Sequence, residues 1–183
     1  MRIITGTLKG RKIPAPKTDL LRPTSDRTKE GIFSAMAARR YFESTHVLDL
    51  FAGSGNLGFE AISRGSESVL FVDREPDHIS HIEKLAGTLG VEKQISTRVI
   101  AVEEYLENPG QSFDFVFADP PYDYFFMDGI IEMVLGRDIL NDDGWFILEH
   151  DKRHDFSEHP NCVDTRPYGR TIVSIFKKDN SNF

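Results

Sequence analysis

Apolar runs of six or seven residues alternate with segments of helical periodicity from residue 46 onward. The runs show little polar alternation, which is typical of strands buried on both faces of a parallel sheet. Helices between such strands would cover the two faces of that sheet. The pattern predicts strands at 46–52, 68–73, 96–102, 113–118 and 144–149, and helices at about 56–64, 76–89, 102–107 and 125–136.

The C-terminal part of the chain has a different pattern. Residues 162–166 and 171–176 are two β-like runs, and residues 167–170 between them favour a turn. This hairpin places one strand antiparallel to the others. We expect an α/β, Rossmann-like fold with a mostly parallel seven-stranded sheet and one antiparallel strand in the C-terminal hairpin.

The N-terminal part predicts a small addition to this sheet. Residues 2–5 and 11–14 are β-like and predict a hairpin, and Thr24 or Ser25 can cap a helix that runs to about Arg40. Ile32, Phe33, Met36 and Ala37 are predicted on the apolar face of this helix, with Arg27, Lys29 and Arg39 largely elsewhere. We expect a basic hairpin and helix over 1–40, the main domain over 41–178 and a frayed tail over 179–183.

Charge is unevenly distributed along the chain. Its formal net charge is −7, but residues 1–40 hold ten Lys or Arg against three Asp or Glu, a net charge of +7. The remainder holds 12 basic and 26 acidic residues, a net charge of −14. Such asymmetry indicates either a surface for a polyanion in the N-terminal part or a basic face exposed to solvent.

The composition excludes several classes of protein. Cys162 is the only cysteine, which rules out an internal disulfide and a cysteine-based zinc site. His150 and His154 are four residues apart, but histidines on a polar segment are more often solvated than metal-bound, and no metal is expected. No apolar run approaches the roughly 20 residues of a membrane span, and the first ten residues lack the apolar core of a signal peptide. We expect a cytoplasmic protein, and nothing requires more than a monomer.

The stretch from Val47 to Gly58 contains the first candidate site. An apolar run ends there in a glycine-rich turn, and a helix-like segment follows directly. Glycines allow backbone conformations that side chains forbid, and they let a ligand approach the backbone. Asp73 ends the next predicted strand, 20 residues after Gly53. A carboxylate there can accept hydrogen bonds from both ribose hydroxyls of a nucleoside.

Two cofactors fit this pattern. Gly53, Gly55 and Gly58 form Gly-x-Gly-x-x-Gly, which with a downstream acid suits NAD as well as S-adenosylmethionine. Asp49 argues against NAD, because a carboxylate beside the turn would repel a pyrophosphate. The ammonium group of S-adenosylmethionine would instead favour an acid there. The residues therefore favour S-adenosylmethionine, with a nucleotide-dependent oxidoreductase as the alternative.

Residues 49–55, Asp-Leu-Phe-Ala-Gly-Ser-Gly, and the following Leu-Gly-x-Glu-Ala-x-Ser-Arg-Gly at 57–65 resemble the first motif of class I methyltransferases. More narrowly, the chain resembles the bacterial RsmD family, the 16S ribosomal RNA guanine-N2 methyltransferases. The likeness continues in Arg-Pro-Thr-x-x-Arg at 22–27, Asp-Pro-Pro-Tyr at 119–122 and Tyr-Gly-x-Thr at 168–171. Thr5, Asn56 and Arg170 depart from the family pattern.

The tetrad Asp119-Pro120-Pro121-Tyr122 resembles the signature of methyltransferases that act on exocyclic nitrogens of bases. The guanine amino nitrogen shares its lone pair with the ring and is a poor nucleophile. Hydrogen bonds from its N–H groups to the Asp119 carboxylate and the Pro120 carbonyl would favour a pyramidal nitrogen. The two prolines restrict the backbone that positions that carbonyl. Tyr122 can stack on a base that has left its helix, and Phe125 and Phe126 either line the base pocket or pack in the core.

The resemblance implies a direct methyl transfer from S-adenosylmethionine to 16S ribosomal RNA, free or within a small ribosomal subunit or its assembly intermediate. Asp119, Pro120 and Tyr122 would be the catalytic residues. The residues expected to bind the cofactor are Asp49, Phe51, Gly53, Ser54, Gly55, Asp73 and Val102. The residues expected to bind the RNA are Pro121, Arg11, Lys12, Arg22 and Arg27.

Three alternatives remain open at this point. The same chemistry could act on another RNA or on adenine N6 of DNA, although DNA enzymes usually carry a sizeable target-recognition segment that 183 residues hardly accommodate. An oxidoreductase would explain the glycines, but it gives no reason for the tetrad at 119–122. A non-catalytic RNA-binding module would use the basic N-terminal residues alone.

Overall fold

The computed structural model describes residues 1–15, 26–38 and 41–178. Within these ranges helices and strands alternate along most of the chain. The helices are α1 (Asp26–Ala37), α2 (Asn56–Ser63), α3 (Pro76–Leu89), α4 (Val102–Glu107) and α5 (Met127–Gly136). The strands are β1 (His46–Leu50), β2 (Ser68–Asp73), β3 (Ile95–Val99), β4 (Phe113–Ala118), β5 (Leu140–Asp151), β6 (Cys162–Tyr168) and β7 (Thr171–Phe176).

The seven strands form one sheet in the order β3-β2-β1-β4-β5-β7-β6. The first five pair in parallel, and β7 runs antiparallel to both β5 and β6. The predicted α/β fold, with a mostly parallel seven-stranded sheet and an antiparallel strand in the C-terminal hairpin, is confirmed. Strand order reverses between β1 and β4, and in open parallel sheets such a reversal opens a ligand crevice at the carboxyl ends of the strands.

Several strand boundaries differ from the prediction, two of them by three residues or more. The third strand ends at Val99 instead of residue 102, because α4 already begins at Val102. The fifth begins at Leu140 instead of residue 144. A register shift between Phe113 and Phe115 lets Leu140 pair with Phe113. The polar residues that follow Leu140 interrupt the apolar run and conceal the start of the strand from the sequence.

Hydrophobic clusters cover both faces of the sheet. Helices α1, α2 and α3 pack on one face and α4 and α5 on the other. Phe33 of α1 contacts Phe117 of β4, with ring centroids 5.4 Å apart. Ile3 and Ile13 belong to the same cluster, so the N-terminal residues and the sheet share one core. Among the residues described, no helix has the length and apolar character needed to span a bilayer.

Residues 1–13 fold back on themselves, but with a single antiparallel bridge between Arg2 and Lys12 in place of two hairpin strands. Part of this segment bonds to α2 instead: the Leu8 N–H donates to Ser63 Oγ (2.9 Å) and the Thr7 N–H to the Ser63 carbonyl (2.8 Å). Gly6 has φ +90°, and a Cβ there would lie 1.7 Å from the Ser63 carbonyl oxygen. Only glycine allows the segment to approach α2 so closely.

The prediction that Lys29 lies away from the apolar face of α1 is wrong. Its side chain is fully buried, with 0% exposed. The ammonium group donates to the Arg2 carbonyl (2.6 Å) and to Asn56 Oδ1 (2.7 Å), and it lies 3.2 Å from Glu60 Oε2. Burial lowers the pKa of Lys29, and the Glu60 carboxylate opposes this. A buried cation is tolerated here because it is paired and hydrogen-bonded.

Glu60 completes a buried polar group, the Lys29 network (Lys29, Asn56 and Glu60). Its fully buried carboxylate also accepts the Ile4 N–H (2.8 Å), the Thr5 N–H (3.1 Å) and the Nε of Arg64 (2.9 Å). The network joins the N-terminal segment and α1 to α2, the helix that begins directly after the glycine turn.

Candidate active site

The register of the sheet brings the predicted site residues to one edge. Leu50 of β1 pairs with Val72 of β2 and with Ala118 of β4. The residues that come next along the chain, Phe51, Asp73 and Asp119, therefore lie at the carboxyl ends of the three strands. The glycine turn (residues 51–58) and the tetrad loop (residues 119–126) thus flank the point where strand order reverses.

The glycine turn adopts a left-handed backbone at several positions. Phe51, Gly53 and Gly55 have φ of 56°, 52° and 74°. The value at Phe51 is unusual for a residue with a side chain, and such strain is often found at functional sites. The backbone N–H groups of Ala52, Gly53 and Gly55 bond inside the chain, to the Val72 carbonyl (3.1 Å), Asp73 Oδ2 (2.8 Å) and the Ala52 carbonyl (2.7 Å). These bonds hold the turn in this shape.

Gly58 serves packing. A Cβ at this position would lie 2.3 Å from the Phe71 ring of β2. The third glycine of the motif therefore lets α2 approach the sheet closely.

Asp49 is buried, with 3% exposed, beneath the start of α2. Its Oδ2 accepts the N–H of Gly58, the third residue of that helix, at 2.9 Å. The carboxylate thus lies at the helix N-terminus, where a dinucleotide pyrophosphate would otherwise bind. Burial raises the pKa of Asp49 well above its ordinary value, and the nearby Asp119 and Asp73 carboxylates add to the rise.

Asp73 is also buried and already organises the turn. Its Oδ2 accepts the Gly53 N–H (2.8 Å) and the Nδ1–H of His78 (3.1 Å), and its Oδ1 accepts the Glu75 N–H (2.9 Å). An ionised carboxylate has about four acceptor positions, so little of its capacity is left for a ligand. His78 was not among the predicted site residues, because only its place on α3 beside β2 brings it to Asp73.

The electrostatics of this edge fit a cationic ligand. The Asp73 and Asp119 carboxylates both act on Asp49, which is buried. A pyrophosphate would add negative charge to three carboxylates, whereas an ammonium and a sulfonium group would offset them. The residues present therefore fit S-adenosylmethionine and not NAD.

The tetrad loop is more open than the glycine turn. Asp119 is half-buried and Pro120 is buried, while Pro121 and Tyr122 are exposed. Tyr122 is 61% exposed and Phe125 is 91% exposed. Phe125 and Phe126 are predicted either to line the base pocket or to pack in the core. Core packing is wrong for Phe125, and Phe126 is also exposed (40%). Such aromatic exposure on a single loop is a common mark of a binding surface.

The other predicted cofactor residues lie close to this edge. Phe51 makes an edge contact with Tyr124 (centroids 5.0 Å apart), and the Tyr124 hydroxyl donates to Glu103. Burial, and then this hydrogen bond, raise the pKa of Tyr124. Ser54 is buried, with its Oγ 3.7 Å from Met1 Sδ. Val102 is buried in the core at the start of α4.

The predicted RNA-binding residues divide into two sets. Arg11, Lys12 and Arg27 are exposed, and Arg11 Nη2 donates to the Thr88 carbonyl at 3.0 Å. Arg22 lies outside the described residues, as do Thr24 and Ser25. Lys29, which contributes to the basic charge of residues 1–40, is buried and paired with Glu60 and is not available to a polyanion.

The expectation that His150 is solvated is wrong. It is buried at the end of β5, where Nδ1 bonds to the Asp151 carbonyl (3.0 Å) and Nε2 to Ser174 Oγ (2.8 Å). A carbonyl only accepts, so Nδ1 carries the hydrogen and Nε2 accepts from the serine. Burial lowers the pKa of His150. Across residues 1–15, 26–38 and 41–178, no group of three His, Cys, Asp or Glu is arranged to hold a metal ion.

The strand order, the glycine turn and the acidic carboxyl edge together define a class I methyltransferase fold. Among solved structures, an Escherichia coli protein named "Putative methyltransferase yhhF" superposes with a TM-score of 0.84 at 26% identity, covering 98% of each chain.

Residues 1–177 match the family model described as "Conserved hypothetical protein 95". The chain is 36% identical to "Putative rRNA methyltransferase YlbH" of Bacillus subtilis, over 97% of this chain and 99% of that protein. It is 34% identical to "Ribosomal RNA small subunit methyltransferase D" of Escherichia coli, over 81% of this chain and 71% of that protein. The chain belongs to this family, the RsmD family.

Proposed function

We propose that this protein transfers a methyl group from S-adenosylmethionine to the exocyclic N2 of a guanine in small-subunit ribosomal RNA. The observation that carries the proposal is the position of Asp119-Pro120-Pro121-Tyr122, which follows β4 directly beside the glycine turn that follows β1. A methyl donor on the turn and an amino group at the tetrad would then meet at one edge of the sheet.

The cofactor half of the site is assigned to the glycine turn and its acids. The buried Asp49 carboxylate is suited to the ammonium group, and the remaining acceptor capacity of Asp73 to a ribose hydroxyl. The backbone of Gly53, Ser54 and Gly55 leaves room for close approach. S-adenosylmethionine, when bound, supplies an electrophilic methyl group on a positively charged sulfur.

The target half is assigned to the tetrad loop. The Asp119 carboxylate and the Pro120 carbonyl would accept hydrogen bonds from the guanine amino group and orient its lone pair for attack. The same carboxylate can take the proton that the nitrogen loses when the new N–C bond forms. Tyr122, with Pro121 beside it, offers an exposed surface for the base. In this mechanism the positioning of the two reactants supplies most of the rate enhancement.

The names of the relatives support ribosomal RNA as the substrate, since the Escherichia coli relative is a small-subunit ribosomal RNA methyltransferase by name. The exposed Arg11, Lys12 and Arg27 add a basic surface that suits an RNA backbone. The substrate would be the RNA itself or the small subunit in assembly.

The test is a transfer assay with methyl-labelled S-adenosylmethionine. The acceptors are naked small-subunit RNA and small subunits from cells that lack this protein, and the labelled nucleoside is identified after digestion. We expect N2-methylguanosine at a single position. Label on adenine of DNA, or on another RNA alone, would favour the same chemistry with a different target. NAD protecting the protein against heat better than S-adenosylmethionine would favour an oxidoreductase.

A further inference from the structure

A cation covers one part of the exposed tyrosine of the tetrad. The guanidinium carbon of Arg153 lies 4.2 Å from the centroid of the Tyr122 ring. The Nη2 of Arg153 also donates to the Tyr122 backbone carbonyl. The Arg153 side chain, from the loop that follows β5, therefore holds both the ring and the backbone of Tyr122.

Arg153 is itself held by Asp151, the last residue of β5. The Asp151 side chain is only 10% exposed. Its Oδ1 accepts the Arg153 backbone N–H (2.8 Å), and its Oδ2 accepts Nε (2.8 Å) and lies 2.6 Å from Nη2. The pKa of Asp151 is lowered because of these bonds, above all the one from the Arg153 side chain. Backbone and side chain of Arg153 are thus both anchored to a rigid strand end.

We propose that Arg153 is a positioning residue for the target base, which holds the Tyr122 ring in one plane for stacking on a flipped guanine. The assignment rests on the proposed function, because it takes Tyr122 as the base-stacking residue. A guanidinium over an aromatic face is attracted by the ring quadrupole, and because it is planar it can also stack on the ring. The tyrosine then meets the base with little rotational freedom left to lose.

A direct contact between Arg153 and an RNA phosphate is the competing role. The Nε and Nη2 groups already donate to Asp151 and to Tyr122. Nη1 makes none of these bonds, so a phosphate contact would use only one of the three nitrogens, whereas stacking through Tyr122 uses the guanidinium group where it already lies. The geometry therefore favours an action through the tyrosine.

The experiment measures two quantities for each variant: affinity for a short fluorescent, guanine-containing single-stranded RNA, and kcat and KM for methylation. We expect Arg153→Ala to weaken oligonucleotide binding and to lower kcat/KM by about fivefold to tenfold, with an unchanged affinity for S-adenosylmethionine. Arg153→Lys should not restore binding, because an ammonium group has no plane to stack. In a Tyr122→Ala background, Arg153→Ala should cause no further loss.

Lys152→Ala is the matched control, since it removes the same charge from the neighbouring exposed position. Asp151→Asn keeps the charge of Arg153 but loosens its guanidinium, and a smaller loss of the same kind is expected. Two results together would show a phosphate contact and overturn the proposal. They are full rescue by Arg153→Lys and a slope of log affinity against log salt that falls by about 0.7 in Arg153→Ala.

The binding assay also separates this proposal from the proposed function. A wild-type protein that binds the oligonucleotide but methylates no ribosomal RNA would contradict the proposed function. The role of Arg153 would then be decided by the oligonucleotide affinities of the variants. A wild-type protein that does not bind the oligonucleotide would contradict the role of Arg153. Additive losses in Arg153→Ala and Tyr122→Ala would contradict it as well.

Discussion

The glycine turn and the tetrad loop lie at one edge of the sheet, and they are built in opposite ways. In the turn, Asp49 and Asp73 are buried, and backbone N–H groups at residues 52, 53, 55 and 58 all bond inside the chain. In the loop, Tyr122, Phe125 and Phe126 expose large parts of their rings.

The difference indicates two ways of binding. A turn that is already ordered loses little conformational entropy when a small cofactor binds. Exposed aromatic rings, in contrast, gain most when another surface covers them. Under the proposed function, the cofactor half would be complete within the chain, and the nucleotide would complete the target half. Each of the following substitutions acts on one half.

The largest effect is expected at the loop. Asp119→Ala should lower kcat by about a thousandfold or more, because it removes one of the two acceptors proposed to orient the amino group. Affinity for S-adenosylmethionine, measured by calorimetry, should stay within about threefold. Asp123→Ala removes an exposed carboxylate from the same loop and should be near wild type. A large loss of cofactor affinity in Asp119→Ala would mean that the two halves are not separable.

The rigidity of the turn is tested through the Lys29 network. Lys29→Met leaves the buried Glu60 carboxylate without its cation, and we expect the free energy of unfolding to fall by about 3–5 kcal/mol. For a chain of this size the melting temperature should fall by roughly 10 °C. Lys9→Met, at an exposed lysine of the N-terminal segment, is the control. An equal, small effect of both would show that the network adds nothing to the turn's stability.

Asp49→Asn should separate stability from cofactor binding. Because the pKa of Asp49 is raised by burial, its carboxyl binds a proton more tightly in the folded chain than in the unfolded one. Its contribution is therefore fully present below pH ~4 and is lost as pH rises through the folded pKa. The cofactor-free variant should melt at a higher temperature than wild type at neutral pH, with the difference vanishing towards pH 4.

The same variant should bind S-adenosylmethionine about tenfold or more weakly, since the charge-assisted hydrogen bond proposed for the ammonium group would be lost. Asp77→Asn, an exposed acid at the start of α3, should change neither quantity. A destabilised Asp49→Asn at neutral pH would contradict the idea that this acid is retained for binding.

The smallest effect is expected at the basic surface. Neutralising Arg11 and Lys12 together should lower RNA affinity a few-fold and reduce the slope of log affinity against log salt by about 1.4 to 1.8. Lys93→Ala with Arg98→Ala removes two exposed charges elsewhere and should leave the slope unchanged. Equal slopes for both pairs would show that the N-terminal surface is only solvated.

Local signals in the sequence were enough to predict the glycine turn and the tetrad loop, because each is a short motif at a strand end. Lys29 shows where local signals mislead. It lies on the same helical face as Ile32, Phe33 and Met36, yet its charge argues for exposure, and lysine is buried only when it is paired. Its partner Glu60 is far away along the chain.

Arg153 gave no signal either, because it meets Tyr122 only through the return of β5 beside β4. His78 is a similar case, since it reaches Asp73 through packing between elements. Contacts made by side chains across elements depend on the assembled fold, whereas turn chemistry depends on a few adjacent residues.

The bond between Lys29 and Asn56 has an evolutionary consequence. The amide oxygen of Asn56 accepts from the Lys29 ammonium group at 2.7 Å. A small apolar residue at 56 would remove that acceptor and leave space beside the ammonium group. Positions 29 and 56 should therefore co-vary among relatives, with a change at one accompanied by a compensating change at the other, while an acid persists at position 60.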